Sequence, residues 1–223
     1  TSGQRFPGVI YASPSGNNNW AGTKEKPLKS ITTALIKADK GDAVVLLPGT
    51  YQTDGLELYK PYVRLYGSGA GTVLKGSAKC AAVLTIKEEA TGALASGMTI
   101  EGGTQQGVLV YGASKAGLEN LKVQNSGGPG IKVIGGVKVL GSPFEGASII
   151  NCQVTNTGLK TPAQGQGILT QNAVATRIEG CTIANTPADG IFLEGEDIKV
   201  VNCFIHDTDA AGVMFSGTKN CNV

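Results

Sequence analysis

Residues 181–192 read CTIANTPADGIF and residues 203–214 read CFIHDTDAAGVM. Laid one over the other at a period of 22, Cys181 falls on Cys203, Ile183 on Ile205, Asn185 on Asp207 and Gly190 on Gly212. Apolar residues alternate within each stretch, which is the period of a strand and not of a helix. Working outward, the pairs Met98/Ile100, Leu121/Val123, Cys152/Val154 and Cys221/Val223 extend the first column, while Gly107-Val108, Gly130-Ile131 and Gly167-Ile168 extend the glycine column. The step between the two columns is nine residues from Met98 to Gly107, Leu121 to Gly130, Cys181 to Gly190 and Cys203 to Gly212. Short strands in a fixed register at a spacing of 22 to 23 residues describe a solenoid, in which no coil buries its own inner face and the stack supplies the core. The expectation is an all-β, single-stranded parallel β-helix of roughly five or six coils. Its regular coils are expected from about residue 94 onward; residues 52–97 carry apolar runs without a clean register.

The columns also sort the polar residues. Gly102, Asn125, Asn156, Asn185 and Asp207 recur just after the strand, and Asn120, Asn151, Gly180, Asn202 and Asn220 recur just before it. Asn, Asp and Gly are the residues that tolerate a left-handed backbone turn, so these are read as ladders and not as a ligand site. Cys152, Cys181, Cys203 and Cys221 share the inward column of Met98 and Leu121 and are expected as buried, unpaired thiols.

Composition narrows the class further. The chain has 223 residues, which is enough for one domain, taken here as residues 1–223, and 33 glycines, which suits many tight turns. Nineteen basic against seventeen acidic residues leave a net charge of +2 with no basic block, so nucleic acid is not an expected partner. No apolar run is long enough for a membrane span, and the first residues, TSGQRFPGVIYASPSG, do not read as a signal peptide. Upstream of the coils, Ser30 is a candidate N-cap, and Ile31, Ala34, Leu35 and Ala38 share one helical face ahead of Gly41. Residues 29–40 are assigned to a capping α-helix.

The segment YASPSGNNNWAGTKEKPLKSITTALIKADKGDAVVLLPGTY, residues 11–51, resembles the opening module of pectate-lyase-like β-helix proteins, with its S-P-S-G, Asn-rich turn, helix, G-D and P-G-T-Y in order. The resemblance implies a right-handed helix, an extracellular or cell-surface location and kinship with enzymes that cleave acidic polysaccharides by β-elimination. It looks closest to the ninth polysaccharide-lyase family, which binds calcium through clustered aspartates and abstracts a proton with a lysine. Calcium needs several oxygen ligands at once. Of that cluster, Asp189 in Ala188-Asp189-Gly190 matches, whereas Ala210-Ala211-Gly212 and Met214 stand where the remaining acids would be. Asp209 lies nearby, so Asp189 and Asp209 are the metal candidates, and calcium is the one cofactor the resemblance admits. Lys132 and Lys199 are base candidates only by default. His206 is the single histidine and is read as a turn residue.

On the glycine-column strand the outward residue is Leu109, Lys132, Leu169, Phe192 and Met214 in successive coils, a mostly apolar stripe of the kind that contacts a partner. Two insertions flank it, one containing GGVKVLGSPFEGA and one containing GLKTPAQGQ; either one loop folds back over the stripe, with Val139 and Phe144 packing there, or the stripe is a docking surface for another subunit or a glycan. The sequence ends inside a strand, and no capping segment is visible there. The resulting expectation is a secreted or surface module that binds or presents to polysaccharide without a complete lyase site. Its alternatives are a structural or adhesive protein assembling with copies of itself as an oligomer or filament, and a calcium-dependent lyase whose other catalytic residues lie beyond this chain.

Overall fold

A computed structural model describes residues 7–135 and 145–223. Parallel strands build three stacked sheets, of eight, seven and seven strands, and the chain visits them in the order first, second, third before starting the next coil. One coil, for example, runs through Gly117–Glu119, Lys122–Gln124 and Ile131–Ile134. The fold is a single-stranded right-handed parallel β-helix, the hand that parallel crossover connections overwhelmingly take. The second and third sheets each hold seven strands, so the described residues form seven coils and not five or six.

Three inward columns run the length of the stack. In the second sheet Tyr51, Leu74, Ile100, Val123, Val154, Ile183 and Ile205 lie in register. In the third sheet the column is Leu56, Leu84, Val108, Ile131, Ile168, Ile191 and Val213. In the first it runs Ile10, Val44, Leu65, Ala95, Leu118, Ile149, Ile178 and Val200. Ordered coils therefore begin near residue 43, well before residue 94. The early register is hidden in sequence because the turn from first to second sheet varies there. Val44 to Tyr51 is seven residues and Leu65 to Leu74 nine, against five from Ala95 to Ile100 and in every later coil.

The turns follow the residue chemistry. Asn125, Asn156, Asn185 and Asp207 have φ of 60°, 54°, 53° and 51°, with Gly102 in the same left-handed region. Asn120, Asn151, Asn202 and Asn220 form the second such column at 52° to 53°. Beside the first ladder runs a line of hydroxyls. Ser126 donates to Gly128 O at 2.9 Å, Thr186 to Ala188 O at 3.1 Å and Thr208 to Ala210 O at 3.2 Å, each closing the turn two residues on.

The helix is shorter than residues 29–40. It spans Ile31–Lys37, with the Ser30 hydroxyl accepting from Thr33 N and the backbone leaving helical geometry at Ala38, before Gly41. Its buried face, Ile31, Ala34 and Leu35, closes the core beneath the first coils. Lys60, from a later turn, donates to Leu35 O, Ile36 O and Ala38 O at 3.2, 2.8 and 2.5 Å, which satisfies the carbonyls that a helix end leaves open.

All five cysteines are free thiols. Cys152 and Cys181 are buried in the column begun by Met98 and Leu121, while Cys203 and Cys221 are only partly buried. A hydrogen bond with Cys152 pushes the Cys181 thiol up to about 12, and one with Cys181, with burial adding to it, also pushes Cys203 up.

Candidate functional site

The outward residues of the third sheet form one continuous row. Leu109 pairs with Lys132, Lys132 with Leu169, Leu169 with Phe192 and Phe192 with Met214. Period-two alternation turns these side chains outward because their neighbours, Val108, Ile131, Ile168 and Ile191, fill the core. Leu109, Lys132, Leu169 and Phe192 are half-buried and Met214 is exposed.

Over this row lies a groove of about 620 Å³. Lys132, Leu169 and Phe192 form its floor together with Gln171 and Glu194 from the neighbouring outward column. Thr104, Gln105, Gln106 and Pro129 form one wall, continued by Thr161, Gln164 and Gln166. The last three come from the insertion GLKTPAQGQ, which carries a short 3-10 turn at Pro162–Gln164. This loop folds down onto the preceding coil: Gly158 N donates to Gly128 O, and Lys160 N and Thr161 N donate to Gly127 O, all within 2.8 to 2.9 Å. It walls the row and leaves Phe192 and Leu169 open to the groove. Val139 and Phe144, which cover the stripe on one of the two readings, lie outside the described residues.

The loop is an addition to an otherwise regular coil. Where Ser126, Thr186 and Thr208 close their turns on the second residue after them, the Thr157 hydroxyl donates to Gly165 O, across the base of the loop. Gly158 and Gly165 are so close that a methyl group on either would stand 2.8 Å from the other's Cα. Compact loops whose ends nearly touch are a common way to place functional side chains on a rigid scaffold. Inside the wall, the Gln166 amide oxygen is buried with no hydrogen-bond partner.

The model of the family described as "Right handed beta helix region" matches residues 82–223, more than half of the chain. The chain belongs to the right-handed β-helix family. The sequence of this β-helix is 35% identical to pectate lyase PEL9 of Emericella nidulans over 82 residues, which cover 32% of this chain and 20% of that protein. Its fold is similar to pectate lyase Pel9A, with a TM-score of 0.75 at 18% identity over 93% of this chain and 56% of that one. It is also similar to an alginate lyase from Paenibacillus sp. str. FPU-7, with a TM-score of 0.70 at 19% identity, covering 92% and 68%. The chain thus spans a fifth of the curated relative it matches and about half of the first of these structures. The scaffold is shared with proteins that act on polysaccharides, and no helix of the described residues is long and apolar enough to cross a membrane.

In this β-helix the two metal candidates sit on successive coils of the turn between second and third sheets. Asp189 is buried, and its Oδ1 accepts from Ala211 N at 3.1 Å, so the carboxylate ties one coil to the next. Asp209 is exposed on a different depression, lined by the asparagine ladder, and its N donates to Thr186 O. Among the described residues no three Asp, Glu, His or Cys side chains gather as a metal site. Lys199 lies on the first sheet, in register with Arg177 and away from the groove that Lys132 enters. His206 is exposed, stacks on Phe204 at 4.9 Å and contacts the Asp207 carboxylate through Nδ1 at 2.7 Å. The groove's glutamines had no signal in the sequence: a wall residue is recognisable only after the loop has been folded onto its neighbour.

Proposed function

We propose that this β-helix binds a polysaccharide chain along the outer face of its third sheet, outside the cell or at its surface. The observation that carries the reading is the groove itself. An aromatic ring, Phe192, and an aliphatic one-coil neighbour, Leu169, form an apolar floor, and amide, hydroxyl and charged groups border it. Ligand sites combine an apolar surface with a few polar groups that fix orientation in just this way. The groove draws on four successive coils, from Gln105 to Phe192, and at about 4.8 Å per coil it is roughly 14 Å long, room for several sugar rings.

Kinship of scaffold with pectate and alginate lyases supports polysaccharide as the ligand class, while chemistry has to come from side chains and not from a fold. In these residues the function proposed is binding or presentation. Affinity electrophoresis against a panel of soluble acidic and neutral polysaccharides tests it. At least one should retard the protein, and Phe192→Ala should lose most of that retardation; an unretarded protein, or a Phe192→Ala variant that behaves like wild type, would overturn the reading.

A further inference from the structure

The charge and hydrogen-bonding capacity of the groove narrow the ligand further. Among its described lining residues Lys132 and Glu194 are the only charged ones, and their charges are opposite. A polysaccharide with a carboxylate on each ring would bring several negative charges to a groove that offers one cation and one anion. Five glutamines, Gln105, Gln106, Gln164, Gln166 and Gln171, supply most of the polar surface instead. A primary amide both donates and accepts, and so does a sugar hydroxyl, whereas an ionised carboxylate only accepts. The Gln166 amide oxygen, buried and without a partner, requires a donor. A sugar hydroxyl can supply one on a neutral or an acidic chain alike, so this oxygen calls for a hydroxyl-bearing ligand and the charge of the lining decides between the two classes.

We infer that the groove takes an uncharged, hydroxyl-rich polysaccharide and discriminates against polyuronates. The inference rests on the reading of the groove as a polysaccharide site. Specificity here is a matter of charge: either class of chain can offer hydroxyls to Gln166 and its neighbouring amides, but an acidic one must also bring a carboxylate on each ring out of water and beside Glu194, with Lys132 the single cation among the described lining residues.

The test uses the full chain in affinity electrophoresis and titration calorimetry, with galactomannan, xyloglucan and mixed-linkage glucan as neutral probes and polygalacturonate and alginate as acidic ones, each at low and high salt. Binding to a neutral probe with an affinity that salt leaves unchanged is expected, together with polyuronate binding at least tenfold weaker. Gln166→Leu should weaken neutral binding by about five- to tenfold, the worth of one hydrogen bond to a buried acceptor. A second variant lacks residues 159–164, so that Gly158 joins Gly165; because those two already meet, the coil should keep its stability while the wall and its affinity are lost. Preference for polygalacturonate or alginate, relieved by salt, would overturn the inference and leave the groove reading standing. Retention by no probe of either class would overturn both.

Discussion

A methyl group on Gly107 would stand 2.5 Å from Cγ1 of Val123, which belongs to the next coil. The same relationship recurs up the stack, closer still, between Gly130 and Val154, Gly167 and Ile183, and Gly190 and Ile205. The glycine column is therefore a packing device: at the entry to the third sheet the backbone of one coil lies against the β-branched residue of the coil above. Gly212 has nothing within 4 Å.

That contrast predicts opposite outcomes for one chemical change. Gly107→Ala should cost about 1–3 kcal/mol, the usual range for overpacking a filled core, whereas Gly212→Ala should fall within about 0.5 kcal/mol of wild type. Urea unfolding measures both. Equal midpoints for the two variants would mean that Val123 moves aside freely and that the column is not set by packing.

Lys60 should govern the cap helix and little else. Replacing it with Met removes the ammonium from the carbonyls of Leu35, Ile36 and Ala38 and should cost about 1–2 kcal/mol. In a solenoid each coil contacts mainly its neighbours. Hydrogen exchange should therefore accelerate across residues 31–38 and stay unchanged beyond residue 117. Unaltered exchange in the helix would show that Ile31, Ala34 and Leu35 hold it without the lysine.

Thiol chemistry should follow position in the cysteine column. Reaction requires an accessible thiolate. Cys152 and Cys181 are buried, Cys181 is pushed up to about 12, and Cys203 is raised as well, while Cys221 is partly open to solvent. Alkylation of native protein at pH 7, mapped by peptide mass, should label Cys221 first and reach Cys80, Cys152 and Cys181 only after unfolding. Labelling of Cys181 at the rate of Cys221 would contradict the packed column.

One outer-face ion pair makes stability depend on acidity. Lys75 Nζ lies 2.7 Å from Glu101, whose other oxygen accepts from Gln124 Nε2 at 3.1 Å. The hydrogen bond from Lys75 holds the Glu101 carboxyl below its ordinary value. A lowered folded-state value means that its stabilisation is present above the ordinary carboxylate value, about 4.3, and is lost as pH falls through the folded one. Both side chains are partly exposed, so the contribution should be under about 1 kcal/mol. Wild type should exceed Glu101→Gln in stability at pH 7 and match it at pH 3; an advantage that survives at pH 3 would rule out the carboxylate as its source.

Legibility differed sharply between parts of this chain. From Met98 onward a constant five-residue step between first and second sheets, with a glycine nine residues after Met98, Leu121, Cys181 and Cys203, lets single residues be assigned to columns, and Leu109, Lys132, Leu169, Phe192 and Met214 lie in one register. Before Met98 the same apolar columns exist, but Val44, Leu65 and Ala95 are joined to the second sheet by turns of different length, and a period cannot be read from unequal steps. Cap helix boundaries erred for a related reason. Gly41 looked like the terminator, while the helix actually ends where Lys60, over twenty residues away, meets its carbonyls.

Sequence alone determined the parallel β-helix, its asparagine turns, its thiol column and its outward stripe, because each depends on residues that recur at a short fixed interval and on the backbone preferences of Asn and Gly. The tertiary structure alone decided that Asp189 ties one coil to the next through Ala211 N, that Gly107 must make room for Val123, and that an inserted loop stands as a glutamine wall beside Phe192. Those relationships join residues of adjacent coils, across steps that differ from coil to coil, and only the stacking of one coil on the next brings them within contact.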